Sequence, residues 1–255
     1  MSTDAGSTPR QQDGAPPVQL PDTGAGPAAA PAAAVPATAV PAAVRAQLLA
    51  TEHWGLLASR STAQSEVLTR ISMFLTFTSA SVVSVALVGQ ATKFSESFFL
   101  LAATVLCIDV AMGLLTQVRV INVAHEDLMY VTAMNRLRGA YVDLDPGVAP
   151  YLMAGYHDDQ AGMDTTYYFF GGRSNFSHVA GSSMLFIITA NGALLGMLAG
   201  VLLAVLGAGT ITSFLAGAAV GLAFIAWSSV SGARSYQGIL RRHTPLSPTP
   251  AAPGP

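Results

Sequence analysis

Charge is what this chain has least of. Asp, Glu, Lys and Arg make up 10% of its 255 residues, where soluble domains carry about a quarter. The hydrophobic residues, 51% of the chain, gather into a few long uncharged runs. That is the pattern of membrane spans rather than of a water-soluble core. The formal net charge is only -2, and no basic stripe interleaved with aromatics occurs, so nucleic acid is excluded as a partner. Cysteine is almost absent. The single Cys107 leaves no internal disulfide and no zinc site built on two or more cysteines. Catalytic signatures are missing too: there is no Gly-x-Ser-x-Gly elbow, no phosphate-cradling loop and no Cys/His arrangement for a nucleophile. The expectation is therefore a protein that is not an enzyme and needs no cofactor.

Of the 15 prolines, eight fall between positions 9 and 41 and five between positions 245 and 255. Such stretches cannot build ladders and have too few large apolar groups to offset their ordering entropy. Residues 1–42 and 244–255 are accordingly expected to be disordered tails. The first lacks the unbroken apolar run of a secretory signal. Between the tails, four runs are long enough to cross about 30 Å of hydrocarbon, at residues 71–90, 97–118, 179–205 and 210–231. The expected class is all-α, with four transmembrane helices.

Of the 12 Lys and Arg residues, only Lys93 falls between the first two runs. The other 11 precede the first run, lie between the second and third, or follow the fourth. The positive-inside rule then puts both termini and the middle segment in the cytoplasm of a protein in the inner (plasma) membrane.

Helical character continues outside the apolar runs. Leu49, Leu56 and Ala63 recur every seven residues before the first span. Tyr130, Met134, Leu137 and Tyr141 form an i, i+4, i+7, i+11 stripe after the second. No proline interrupts either stretch before Pro146. The economical reading extends the first two spans into a cytoplasmic helical hairpin over residues 43–70 and 119–142, reaching about 35 Å below the membrane. Contacts across it are expected through Leu49, Leu56, Met134, Leu137 and Tyr141. The sequence Asp145-Pro146-Gly147 should end the second arm.

The middle segment, residues 119–178, is rich in polar side chains: His125-Glu126-Asp127, His157-Asp158-Asp159, Asp164 and His178. No two histidines sit four apart to chelate from one helix face, so no metal site is assigned, and a solvated acidic surface with a helix cap is the plainer reading. The aromatic run TTYYFFGGR suits a membrane interface.

Inside the spans, Gly192, Gly196 and Gly200 repeat every four residues, with Gly217 and Gly221 as a second pair. Small residues at that spacing let helix backbones approach closely in lipid. A short loop joins the two helices, which favours packing within the chain over a subunit interface. Asp109 is the anomaly. A charged Asp at mid-span costs about 2.5–3.5 kcal/mol on insertion scales, so it should face protein or water. Counted from Arg119 it lies about 14–15 Å deep, and Asn191 counted from Ala180 comes to about 16–17 Å. Thr78, Ser79 and Ser81 of the first span fall in the same layer. With these as partners inside a four-helix bundle, and no basic residue at that depth, Asp109 is expected to be protonated.

The segment MNRLRGAYVDLDPGVAPYLMAGYHDD, residues 134–159, resembles part of a family of uncharacterised actinobacterial four-span integral membrane proteins. The likeness runs from LLATEHWGLLASR through the third span. It implies the four-span architecture and brings no activity or catalytic residues with it. A looser similarity links the extended first two helices to bacterial two-helix membrane effectors with a cytoplasmic hairpin, thought to form pores; four spans depart from that pattern.

Two functions follow from these readings. The first is a non-enzymatic membrane protein working as a homo-oligomer, with its coiled-coil-like hairpin offered to a second copy or a cytoplasmic protein partner. The second is an ion or small-solute channel or transporter whose path is lined by Asp109.

Overall fold

A computed structural model describes residues 40–171 and 182–251. Among these the chain is helical and contains no strand. Helix α1 spans Ala42–Ala91 and α2 spans Glu96–Leu144. After a short 3-10 helix at Pro146–Tyr151 come α3, Gln160–Tyr167, then α4, Ser183–Val205, and α5, Thr210–Arg242. Four of them, α1, α2, α4 and α5, are long and apolar enough to cross a membrane.

The first two helices run without a break through span and hairpin, 50 and 49 residues each, or about 75 Å at 1.5 Å per residue. No proline lies inside either one to remove a ladder hydrogen bond. They are joined by a four-residue turn in which Lys93 and Phe94 both take positive φ, 52° and 57°. Side chains rarely adopt that region. Phe94 is held there by its N–H, which donates to the Gly89 carbonyl at 3.0 Å, and by its ring, set edge-on to Phe98. Gly89 leaves room for both rings, since a Cβ there would stand 2.8 Å from Phe94.

The α4–α5 turn is closed differently. Gly207, at φ 83°, supplies the left-handed residue, and the Ala208 N–H returns to the Leu203 carbonyl at 3.0 Å. This is a Schellman-type stop, for which glycine is the natural residue.

The helices pack in a row rather than as a closed bundle. Helix α2 lies against α1 on one side and α4 on the other, and α4 pairs with α5. Ala63, Val67, Ile71 and Phe74 of α1 meet Leu106, Val110, Val120 and Val123 of α2, with Ile187 and Leu194 of α4. The hairpin has a separate core of Leu128, Val131 and Met134 with Met163 of α3, against which Leu56, Ile239 and Leu240 pack.

Three boundaries differ from the sequence reading. Helix α4 begins at Ser183, where the Ser182 hydroxyl caps the Leu185 N–H at 3.2 Å; residues 179–181 lie outside the described residues. Helix α5 continues to Arg242 instead of stopping near 231. Nothing in SGARSYQGILRR breaks a helix, Ile239 and Leu240 are drawn into the hairpin core, and Arg241 and Arg242 suit a helix C-terminus. Residues 244–249, expected to be part of a loose tail, form neither helix nor strand but are tied by hydrogen bonds to the loop before α3. The tail residues 1–39 and 252–255 lie outside the described residues.

Candidate functional site

The intramembrane polar residues divide into two layers. Asp109 is 0% exposed, and neither carboxyl oxygen has a hydrogen-bond partner. Ser81 of α1 interacts with it but is not within hydrogen-bond geometry. Thr78 is half-buried, with its Oγ1 enclosed and unpartnered, while Ser79 is exposed.

Asn191 belongs to the other layer. Its Nδ2 donates to the Gly113 carbonyl at 2.9 Å and to Gln117 Oε1 at 2.8 Å. Gln117 Nε2 in turn donates to the Ser228 hydroxyl at 3.3 Å. The expected Asp109–Asn191 layer is therefore corrected. Asn191 engages α2 one turn and two turns nearer the hairpin, because counting depth from an assumed span edge carries an error of about one helical turn. Gly113 makes this junction feasible, since a Cβ there would collide with Asn191 and press on Phe74. Gln117 and Ser228 were not singled out in the sequence. Both lie near the hairpin end of an apolar run, where a polar residue reads as the membrane boundary.

Helices α4 and α5 meet through their glycines. A Cβ on Gly196 would stand 2.8 Å from the Gly217 carbonyl, and one on Gly217 would stand 2.5 Å from the Gly196 carbonyl. Gly192 faces Gly221 in the same reciprocal way, and Gly200 faces Ser213. All five glycines are spent within the chain, backbone against backbone.

In the hairpin, Met134 is buried, Leu56 packs on the same core, and Leu49, Leu137 and Tyr141 are half-buried. Polar contacts do more of the joining. Asp127 of α2 accepts from Arg60 Nε at 2.6 Å, Gln64 at 2.9 Å and the Tyr167 hydroxyl at 2.7 Å, which ties α1, α2 and α3 to one carboxylate. Burial and the Asp127 charge push the Tyr167 phenol far above its usual range. Tyr167 is thus a hairpin residue rather than part of an interfacial belt, although Phe169 and Phe170 are exposed. Arg119 bridges Glu66 and Glu126 at 2.8 Å each. Asn135, fully buried, donates to the His157 carbonyl at 2.9 Å and accepts from Arg138 at 2.7 Å and Thr166 at 2.8 Å.

The loop before α3 forms a clamp. Asp158, 0% exposed, accepts from the backbone N–H groups of Leu246 at 2.9 Å and Ser247 at 2.8 Å, and from Arg136. Asp159 caps α3 through the Gly162 N–H and takes both the N–H and the hydroxyl of Thr249, each at 2.8 Å. Burial would raise both carboxyls, but these donors outweigh it and hold them below the usual range. The acidic cluster is consequently occupied by its own chain. Among the described residues no three His, Cys, Asp or Glu side chains gather to hold a metal; His178 lies outside them. No protein-family model, curated protein or solved structure matches the chain.

Proposed function

We propose that this is a membrane-anchored assembly protein, with both termini and the hairpin in the cytoplasm, that acts by self-association rather than by catalysis. The observation behind this reading is the outer face of α1. As an end helix in the row, α1 packs extensively on α2 alone, and its other side is exposed from the hairpin into the span. Val44, Leu48, Thr51, Gly55, Ala58, Thr62, Ser65 and Thr69 follow one another at alternating spacings of four and three, all exposed. This is heptad spacing, filled mostly by small side chains. The hydroxyls of Thr51, Thr62 and Thr69 are turned back onto the carbonyls four residues earlier, so three of the seam's four hydroxyls are satisfied within α1. Leu48 at 63%, Trp54 at 69% and Leu68 at 58% exposure border it, outside the span, where lipid would not cover them.

A second copy is the occupant the seam suits. Two chains inserted with the same orientation are related by an axis along the membrane normal, so each seam residue meets its own counterpart. A charged seam would repel itself; this one has no charge over its whole length.

The test is disulfide formation in membranes, in a Cys107→Ser background. Gly55→Cys, where a Cβ meets nothing within 4 Å, and Thr62→Cys should each give a covalent dimer, while Ala46→Cys, on the inward face, should not. A monomeric mass in native measurements, with no cross-link at either seam position, would overturn the assembly reading. A reporter active only outside the membrane, fused after Pro255, should stay silent if the orientation is right.

A further inference from the structure

Asp109 is the one acidic or basic side chain in the four spans. Residues 71–91 of α1, all of α4 and residues 210–232 of α5 contain no titratable group, and within residues 97–118 of α2 the one other, Cys107, is exposed. The packing around Asp109 therefore supplies no cation. It supplies no amide either, because both oxygens are enclosed without a hydrogen bond. A carboxylate needs partners for its charge when it leaves water, and lipid offers none. A neutral carboxyl is the form that this packing accommodates.

The surroundings are also asymmetric. Away from the hairpin, the buried face of α2 continues as Leu106, Ala103, Ala102 and Phe98, all apolar. Toward the hairpin it turns polar within two turns at Gln117, which is bridged to Asn191 and Ser228. Asn191 Oδ1, an acceptor with no partner of its own, stands beside Gly113, one helical turn from Asp109.

We propose that Asp109 is a reversible proton-binding site inside the membrane, loaded from the hairpin side. The ligand is a proton rather than a metal ion. A hard cation asks for about six oxygen ligands, and one carboxyl with the Ser81 hydroxyl beside it falls short of that. The site sits at the α1–α2 contact, the same helix whose outer face forms the seam above, yet the proposal stands without the assembly reading.

The experiment uses the full chain in sealed lipid vesicles with dicyclohexylcarbodiimide. This apolar reagent adds only to a protonated carboxyl. The carboxyl oxygen bonds to the central carbodiimide carbon, the proton passes to a nitrogen, and nothing leaves. Labelling located at Asp109 by mass spectrometry should be high at low pH and fall away as the pH is raised. The neutral-carboxyl stretching band in infrared spectra of the unlabelled protein should disappear over the same interval. The band should be missing from Asp109→Asn and its midpoint displaced in Ser81→Ala, a milder change that keeps the measurement informative if Asp109→Asn does not fold. A band that persists unchanged from acid to alkali would make Asp109 a fixed clasp and overturn the proposal. So would the absence of both label and band at every pH. Loss of label on adding sodium at constant pH would overturn the proton assignment in favour of a cation site.

Discussion

The two antiparallel helix pairs of this molecule are held together in opposite ways. Helices α4 and α5 touch backbone to backbone through paired glycines. Helices α1 and α2 meet through large side chains, bury an unpartnered carboxyl inside the span, and lock with charged groups beyond it. In lipid, where apolar side chains gain little by leaving the solvent, close backbone approach is the main source of association. A pair built that way has one geometry. A pair built on side chains is set by the shape and charge of those side chains. The α4–α5 contact therefore depends on backbone fit, and the α1–α2 contact on side chains and ion pairs.

The sharpest way to break this comparison is to add a methyl group to each pair. Gly217→Ala places a Cβ 2.5 Å from the Gly196 carbonyl, and neither backbone can yield without moving a whole helix. A loss of about 1–3 kcal/mol is expected from such overpacking, read as a lower midpoint in detergent or urea unfolding. At Gly55, on the open face of α1, the same substitution meets nothing within 4 Å. It should instead stabilise the monomer by up to about 1 kcal/mol through helix propensity. Equal effects at the two sites would mean that the α4–α5 contact is looser than its glycines imply.

An effect of similar size is expected in the hairpin. Removing Asp127 leaves Arg60, Gln64 and Tyr167 without their common acceptor, a loss of about 1.5–3 kcal/mol for hydrogen bonds to a charged group. The pH dependence has a definite sign. Because the folded-state Tyr167 phenol is held above its unfolded value, its contribution is complete below about pH 10 and lost as the pH rises beyond that. Alkaline unfolding of the hairpin should therefore be steep above about pH 10 in the wild type and shallower in Tyr167→Phe. Identical alkaline profiles would show that Tyr167 is not linked to hairpin stability.

How much of this was legible beforehand follows from which forces are local. Apolar runs and proline-free stretches act along the chain, so four spans and an extended α1–α2 pair could be read directly. The four-residue glycine spacing is equally local. Asp109 stood out because a carboxylate inside an apolar run is conspicuous by itself, but its neighbours could not be ranked. Asn191 was expected beside it, whereas a shift of one turn gives Asn191 to Gly113 and Gln117. Asn135 and Asp158 were invisible as structural centres. Their partners are the His157 carbonyl and the Leu246 and Ser247 amides, groups that every sequence possesses and that only folding brings near.

The C-terminal clamp gives the finest comparison, because it sets a segment without regular structure against the helices on which it rests. Residues 244–249 were expected to be loose, since TPLSPT holds one large apolar residue, Leu246, too little to offset ordering entropy. The segment is instead held from outside. Asp158 and Asp159 accept three of its N–H groups and one hydroxyl, and Arg136 braces Asp158. Both carboxyls are held below their unfolded values. Their contribution is therefore complete above about pH 4, the unfolded carboxyl range, and is lost as the pH falls through the lower folded values. Hydrogen exchange at Leu246, Ser247 and Thr249 should be slowed near neutral pH and return to that of a free peptide only in acid below about pH 4. Asp158→Asn keeps an acceptor oxygen but removes the charge. It should weaken this protection by about tenfold, or about 1.4 kcal/mol, while leaving the exchange of α4 and α5 unchanged. If these three amides already exchange freely in the wild type, the clamp does not hold in solution, and the segment belongs with the tail it was expected to be.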